Sequence, residues 1–414
     1  MSGSHRTTVD LSDTLPELDW QFECQDIPEA WPYVGPTWLR GTERAMPEAR
    51  AWYAVARRAR GELAVLPGFV LDKPGAVDFD PRTYLGWKPA SGDEVCCGVA
   101  TCETTIGEVE KLGEDAFYPA MILGSPLGYR SEGFYTFWTP RLFPSLVDAL
   151  VSHARSEGVK TVMAPWIPQR RGNEAIVSKL VIAGGQSAFW GYEDYIPLRE
   201  GSYDAHVAAM PARKRRRLKE DLSGSERAGV ELDRIDGDSL RPLIPHIAAL
   251  TCANREKNGA GEETRHITPI FTELLDAGAD VRCYVARKDS QIVACCVTIR
   301  KVDRLFVKWV GFDYEALGDR SGVYFPMVFD SPMRDAYAEG LRVLELGAGA
   351  HQAKALRGAR SRTKWAAQLV LDEELQPRVA EWMAEFGRRR LESFAAGSDV
   401  AATAPLSLVG GGVS

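Results

Sequence analysis

Three residues around the end of one apolar stretch have the types that move protons and hold anions: Glu345, His351 and Lys354. Lys354 carries a charge suited to a phosphate, a carboxylate or a developing oxyanion. His351, three residues before it, is a candidate base or donor. Glu345 lies in LRVLEL between apolar neighbours. Burial there raises a carboxyl pKa toward that of a working base. Each has a plainer alternative: a surface lysine at a helix start, a structural loop histidine, and a solvent-facing carboxylate. Arg357, Arg360, Arg362 and Lys364 follow closely. They make either a phosphate-binding rim or a solvated basic loop.

A second basic cluster, RKRRRLK at 213–219, has six cations in seven positions. Helical spacing puts Arg213, Arg216 and Arg217 on one face, with Lys214 and Arg215 beside it. This face contacts nucleic-acid phosphates or is salt-bridged to Glu220, Asp221 and Glu226. The formal net charge of −7 excludes a protein that binds nucleic acid with its whole surface, and leaves room for a local site. Asn254, Arg255 and Lys257 end the next predicted helix and are candidates for a substrate pocket. Tyr118, Tyr129 and Trp138, in an aromatic-rich run, either line that cleft or belong to the core.

The elements that must position these residues come in two copies. Residues 142–164, LFPSLVDALVSHARSEGVKTVMA, lie over 324–346, YFPMVFDSPMRDAYAEGLRVLEL, at an offset of 182 without a gap. Phe143, Pro144, Asp148, Ala154, Glu157 and Gly158 match Phe325, Pro326, Asp330, Ala336, Glu339 and Gly340. Each copy reads as a helix that starts near its proline and ends at its glycine, followed by an apolar strand. Before the second copy come three predicted helices, the first of them basic, and a three-strand meander over 281–313 with turns at KDSQ and KVDR. Helices, meander, helix, strand is an α+β order rather than a doubly wound array.

In the first half, GELAVLPGFVL and EVCCGVAT read as strands and YPAMILGSPLGYRSEGF as a loop. Residues 373–394 form an amphipathic last helix. The predicted organisation is a flexible 1–20, a diverged first domain at 21–199, a second and catalytic domain at 200–395, and a disordered tail at 396–414. Each domain is expected to be a mostly antiparallel sheet flanked by helices.

The chain has 414 residues, 45% of them hydrophobic and 26% charged. That is ordinary for a soluble protein of two domains. It shows neither a long apolar span nor a signal-like start, so a cytoplasmic protein that does not enter the membrane is expected. Its eight cysteines contain no C-x-x-C. Cys96–Cys97 and Cys295–Cys296 fall in strand-like runs, where neighbours face opposite ways and cannot easily share a metal. Reduced thiols and no metal site are expected.

The meander, VGFDYE, SGVYFPMVF and EGLRVLELGAGAHQAK together resemble the Fem-like, FemAB-type branch of the GNAT acyltransferase superfamily. Residues 205–370 carry the likeness best, and FYPAMILGSPLGY extends it weakly into the first half. The resemblance implies two tandem GNAT-like domains and transfer of an acyl or aminoacyl group to an amine. Lys354 matches a family lysine that follows the glycine-containing turn. No tightly bound cofactor is implied. The donor is aminoacyl-tRNA or, as the alternative, acyl-CoA; the acceptor is the amine of a small molecule in cell-wall or antibiotic assembly. A degenerate, non-catalytic binding module is a third reading. GNAT enzymes hold the CoA pyrophosphate on a glycine-rich turn at a helix start. Here that place reads Asp319-Arg320-Ser321-Gly322-Val323-Tyr324. Arg320 and Gly322 are the candidate anion-binding residues, and bulky Tyr324 replaces the second glycine, which favours the Fem-like donor. Acyl transfer needs an oxyanion donor and a proton acceptor and no covalent nucleophile.

Overall fold

A computed structural model describes residues 8–17, 31–57, 63–75, 77–87, 103–135, 142–169, 173–258, 263–318 and 322–397. The predicted strand at 94–101, Arg320, Trp138, Cys96 and Cys97 lie outside them, as do most of the 1–20 segment and the tail from 398 onward.

Thirteen strands form one sheet: β1 (Thr8–Ser12), β2 (Arg50–Arg57), β3 (Leu63–Leu71), β4 (Ala120–Leu123), β5 (Phe134–Tyr135), β6 (Thr161–Pro168), β7 (Gln186–Pro197), β8 (Glu231–Asp236), β9 (Val281–Lys288), β10 (Gln291–Lys301), β11 (Arg304–Phe312), β12 (Val343–Gly347) and β13 (Arg360–Val370). The helices are α1 (Pro36–Ala45), α2 (Glu103–Leu112), α3 (Phe143–Ser156), α4 (Glu174–Ile182), α5 (Tyr203–Ala208), α6 (Ala212–Arg227), α7 (Ile244–Lys257), α8 (Thr264–Asp276), α9 (Tyr314–Leu317), α10 (Ser331–Ala338), α11 (His351–Leu356) and α12 (Gln376–Gly397). A π-helical turn over Pro326–Asp330 leads into α10.

The strand order is β1-β2-β3-β4-β6-β13-β7-β12-β11-β10-β9-β8. It is a palindrome of the repeat. β3 and β4 pair antiparallel and β6 runs parallel to β4; β10 and β11 pair antiparallel and β12 runs parallel to β11. α3 spans 143–156, and the helix of the second copy ends at Ala338, the position matched to Ser156. The last strand of each copy is exchanged: β7 pairs with β12 and β13 pairs with β6. The two predicted domains therefore share one continuous, mostly antiparallel sheet, because each copy completes the other's edge.

Successive residues face opposite layers. Ile122 and Phe306 belong to a core cluster that runs under both copies with Trp38, Met163, Trp166 and Trp309. Their neighbours Met121 and Leu305 fall in two separate clusters, one against α3 and α4 and the other against the π turn and α10. The sequence reading of 118–134 as a loop is corrected in part. AMIL is buried strand β4, since four consecutive apolar residues lie between two covered faces. Cys283, Cys295 and Cys296 are buried free thiols. No helix among the described residues is long and apolar enough to cross a membrane.

Candidate active site

Parallel strands β11 and β12 pair only from Arg304/Val343 to Phe306/Glu345. Beyond that pair, among the described residues, the two strands have no further paired positions. The strands splay and leave their inward N–H and C=O groups unpaired with each other, which makes a crevice with built-in donors. Glu345 is its floor. Lys308 is the first side chain past the floor on the same face of β11 as Phe306. It is the extra residue of a bulge, since Val297 pairs with Trp309 and Thr298 with Val307. A bulge re-aims a side chain. Lys308 Nζ donates to Leu127 O at 2.9 Å and lies 4.7–5.1 Å from the ring centres of Tyr33, Trp38 and Tyr129.

The first copy supplies one wall. Tyr129 has φ 53°, a left-handed backbone that is costly for a tyrosine. Its carbonyl accepts from Lys364 Nζ at 3.0 Å, and its hydroxyl accepts from Arg255 Nη2 at 2.8 Å. The end of α7 continues this wall. Asn254 Nδ2 donates to Val310 O at 2.9 Å and so holds β11 beside the splay. Its Oδ1 accepts from Tyr314 OH at 2.7 Å. Lys257 Nζ lies 3.4 Å from the centre of the Tyr314 ring. Three of the four predicted substrate-binding residues, Tyr129, Asn254 and Lys257, thus share one neighbourhood. Tyr118 does not join them. It is buried in the core beside Asp80 and Arg82, and burial pushes its phenol pKa up.

A buried ion network stitches the copies under the crevice. Arg362 donates to both oxygens of Glu345, at 2.8 and 3.1 Å, and Arg304 donates to Oε1 at 2.6 Å. Of the two readings its context left open, the structure has Glu345 buried. It is nonetheless an ion-pair partner with both oxygens engaged, because the tertiary fold brings two guanidiniums onto it. Arg130 donates to Glu132 at 2.8 Å and to Glu193, and its guanidinium lies 3.5 Å from the Trp31 ring centre. Burial opposes its charge, but Glu132 and Glu193 outweigh that and hold its pKa raised.

Glu193 and Asp194 are adjacent on β7 and serve opposite faces. Asp194 Oδ2 bonds His351 Nδ1 at 2.6 Å, and Oδ1 accepts from Ser361 Oγ at 2.6 Å. A proton fixed on Nδ1 by the carboxylate leaves Nε2 as an acceptor. Lys354 is not a surface lysine. It is buried, with Nζ donating to Gly347 O at 2.9 Å and Ala348 O at 2.8 Å, and it lies 3.7 Å from Asp194. It holds the turn after β12 together, as orphan carbonyls there demand. Arg357 is also buried, bonded to Asp221 and stacked 4.0 Å over Phe325. It is therefore no part of an exposed rim, whereas Arg360 is exposed at the start of β13.

Helix α6 rests on this region. Gly322 has φ +68°, and a Cβ there would come within 2.9 Å of Asp221 O and 3.2 Å of Gly224 Cα. Gly322, the glycine expected to help hold an anion, is packed on that side by α6 backbone. Lys214 Nζ donates to Ala355 O at 3.1 Å and ties α6 to α11. Arg213, Arg216 and Arg217 point outward and are exposed.

Sequence reasoning missed Lys308, Arg130, Glu193 and Asp194. The signals were a lysine inside the apolar run RLFVKWVGF and two adjacent acids inside the aromatic run WGYEDYIPL.

No curated protein matches the chain in sequence. Among solved structures it is similar to FemX, with a TM-score of 0.52 and 10% identity over 90% of this chain and all of that one. Looser likenesses include L-PGS from Bacillus licheniformis, with a TM-score of 0.45 and 10% identity over 84% of this chain and 91% of that one. Another is a tandem GNAT protein from the clavulanic acid biosynthesis pathway, with a TM-score of 0.41 and 12% identity over 78% and 83%. The chain thus shares the fold of FemX, and its two repeated units lie side by side in one sheet. With the sequence pattern of the FemAB-like proteins of peptidoglycan biosynthesis and recognition matching residues 109–402, the chain belongs to the FemAB-like family.

Proposed function

We propose that this acyltransferase moves an aminoacyl group from aminoacyl-tRNA to an amine of a cell-wall or natural-product precursor. Helix α6 carries the reading. Its backbone packs against Gly322, in the segment a CoA pyrophosphate would need, while Arg213, Arg216 and Arg217 on the same helix face solvent. That arrangement favours a donor whose phosphates are gripped from outside by a basic helix over one buried in a glycine-rich turn.

In this reading the ester carbonyl of the donor enters between β11 and β12. Unpaired backbone N–H groups of the splayed strands receive the oxyanion. The amine approaches along the wall of Lys308, Tyr129, Asn254 and Lys257. Lys354 and Glu345 shape the site through their structural partners. His351, held by Asp194 on the opposite sheet face and partly exposed, can take the ammonium proton only through the splay between β11 and β12. Amide formation then releases the ribose hydroxyl.

The test is to incubate the protein with a pool of charged tRNAs and, separately, with acyl-CoAs, each with candidate amines. Enzyme-dependent loss of the aminoacyl ester alone is expected. Consumption of acyl-CoA with charged tRNA untouched would replace the donor. Inertness toward both would return the chain to a binding role.

A further inference from the structure

The two copies differ where their parallel strands part. In the second, β11 continues past the Phe306/Glu345 floor and presents Lys308 to the crevice. In the first, the matching floor pair is Ile122/Met163, and the position matching Lys308 is Gly124. The strand does not continue there. Gly124 has φ +96°, and a Cβ on it would lie 2.3 Å from Arg130 O. This allows the chain to fold straight back.

The segment 124–133 returns as a tight hairpin. Ser125 and Arg130 exchange backbone bonds at 2.8 and 3.2 Å, and Tyr129 N donates to Pro126 O at 2.9 Å. Ser131 then takes the place beside β6 that β4 has left. Its N–H donates to Trp166 O at 2.9 Å, and its Oγ accepts from Trp166 N at 3.1 Å. Both inward backbone groups of Trp166 are thereby satisfied by the chain itself. Met163 stands where the second copy has Glu345 and Gly124 where it has Lys308, so neither position offers a charge, and the splay above the floor is filled.

The same hairpin reaches the other copy. Leu127 O receives Lys308, Tyr129 O receives Lys364 and Tyr129 OH receives Arg255. We infer that the first copy has no catalytic centre: segment 124–133 plugs its own crevice and, through Tyr129, forms the acceptor wall of the second copy's crevice. Each chain then holds one centre, built from both copies, with Ser131 as the positioning residue for Tyr129. The inference rests on the transferase reading above for its acceptor wall, and on backbone geometry for its plug.

Three measurements test it. Hydrogen exchange should show the Ser131 and Trp166 amides protected like core strand amides; exchange at loop rates would overturn the plug. Turnover of Lys308→Met, with charged tRNA as donor and L-lysine as probe amine, should fall by at least about tenfold. A remainder near one half would mean that a second centre works. Tyr129→Phe should raise KM for L-lysine by roughly five- to tenfold while KM for the donor stays put. Ser131→Gly should move the same constant in the same direction. An unchanged amine KM in Tyr129→Phe would remove Tyr129 from the wall. If wild type spends acyl-CoA and leaves charged tRNA, the donor reading alone fails, and both kinetic arms run with acyl-CoA. If it spends neither, the transferase reading and the acceptor wall fail together, and hydrogen exchange still decides the plug.

Discussion

Replacing Arg213, Arg216 and Arg217 with glutamine should flatten the salt dependence of RNA binding and leave the fold intact. The side chains of Arg216 and Arg217 are 75% and 64% exposed, and their in-helix carboxylates lie 3.5 and 3.8 Å away. Such exposed i,i+4 pairs contribute about 0.3–0.5 kcal/mol each. The triple substitution should thus cost less than about 1 kcal/mol. Asp221 keeps its buried bond to Arg357, so α6 stays docked. If each arginine neutralises one phosphate, the slope of log K against log salt should flatten by about two to three units, from about 0.7 per contact on a single strand and 0.9 on a duplex. The assay is fluorescence anisotropy of labelled tRNA at several salt concentrations. Arg155→Gln, at an exposed position on α3, should leave the slope unchanged and controls for net charge. Equal slopes for wild type and the triple variant would refute the docking role of α6 and return the donor to acyl-CoA.

Lys354→Ala should lower stability by about 2–4 kcal/mol as well as turnover, because it uncaps two carbonyls and leaves Asp194 with one cation fewer; an unchanged denaturation midpoint would contradict this. Arg357→Met alone should cost about 3–5 kcal/mol in chemical denaturation by stranding Asp221, and adding Asp221→Leu should recover most of it. Asp330, in the π turn, is pushed up to about 6 by burial, with Arg357 opposing. A raised carboxyl means that the folded state holds more protons than the unfolded chain between pH 4 and 6, so stability falls as pH rises through that window. Asp330→Asn should flatten this fall and gain about 2–3 kcal/mol at neutral pH. A parallel pH profile in the variant would place the effect elsewhere.

The repeat was legible because its signals are local. A proline early in the helix, a glycine at its end and an apolar strand follow from φ preferences and periodicity alone, and they set α3 with β6 and α10 with β12 in register. The meander of β9, β10 and β11 showed for the same reason, through its turn residues. For Glu345 the neighbours left burial and a solvent-facing carboxylate both open, and the fold decided for burial. The exchange of β7 and β13 was not legible, because strand pairing joins residues more than 140 apart and leaves no mark on either segment. The exchange brings Arg362 of β13 onto Glu345 and Asp194 of β7 onto His351, while the docking of the two copies sets the first copy's Tyr129 beside Lys308. Lys354 and Arg357 read as exposed cations in a basic run, yet they are buried. Their partners are the carbonyls of Gly347 and Ala348 and the carboxylate of Asp221, which only folding delivers. Local steric preference fixed which segments are helix and strand. Which charges are spent inside the protein, and which remain for a substrate, was decided by long-range pairing and the need to satisfy every buried polar group.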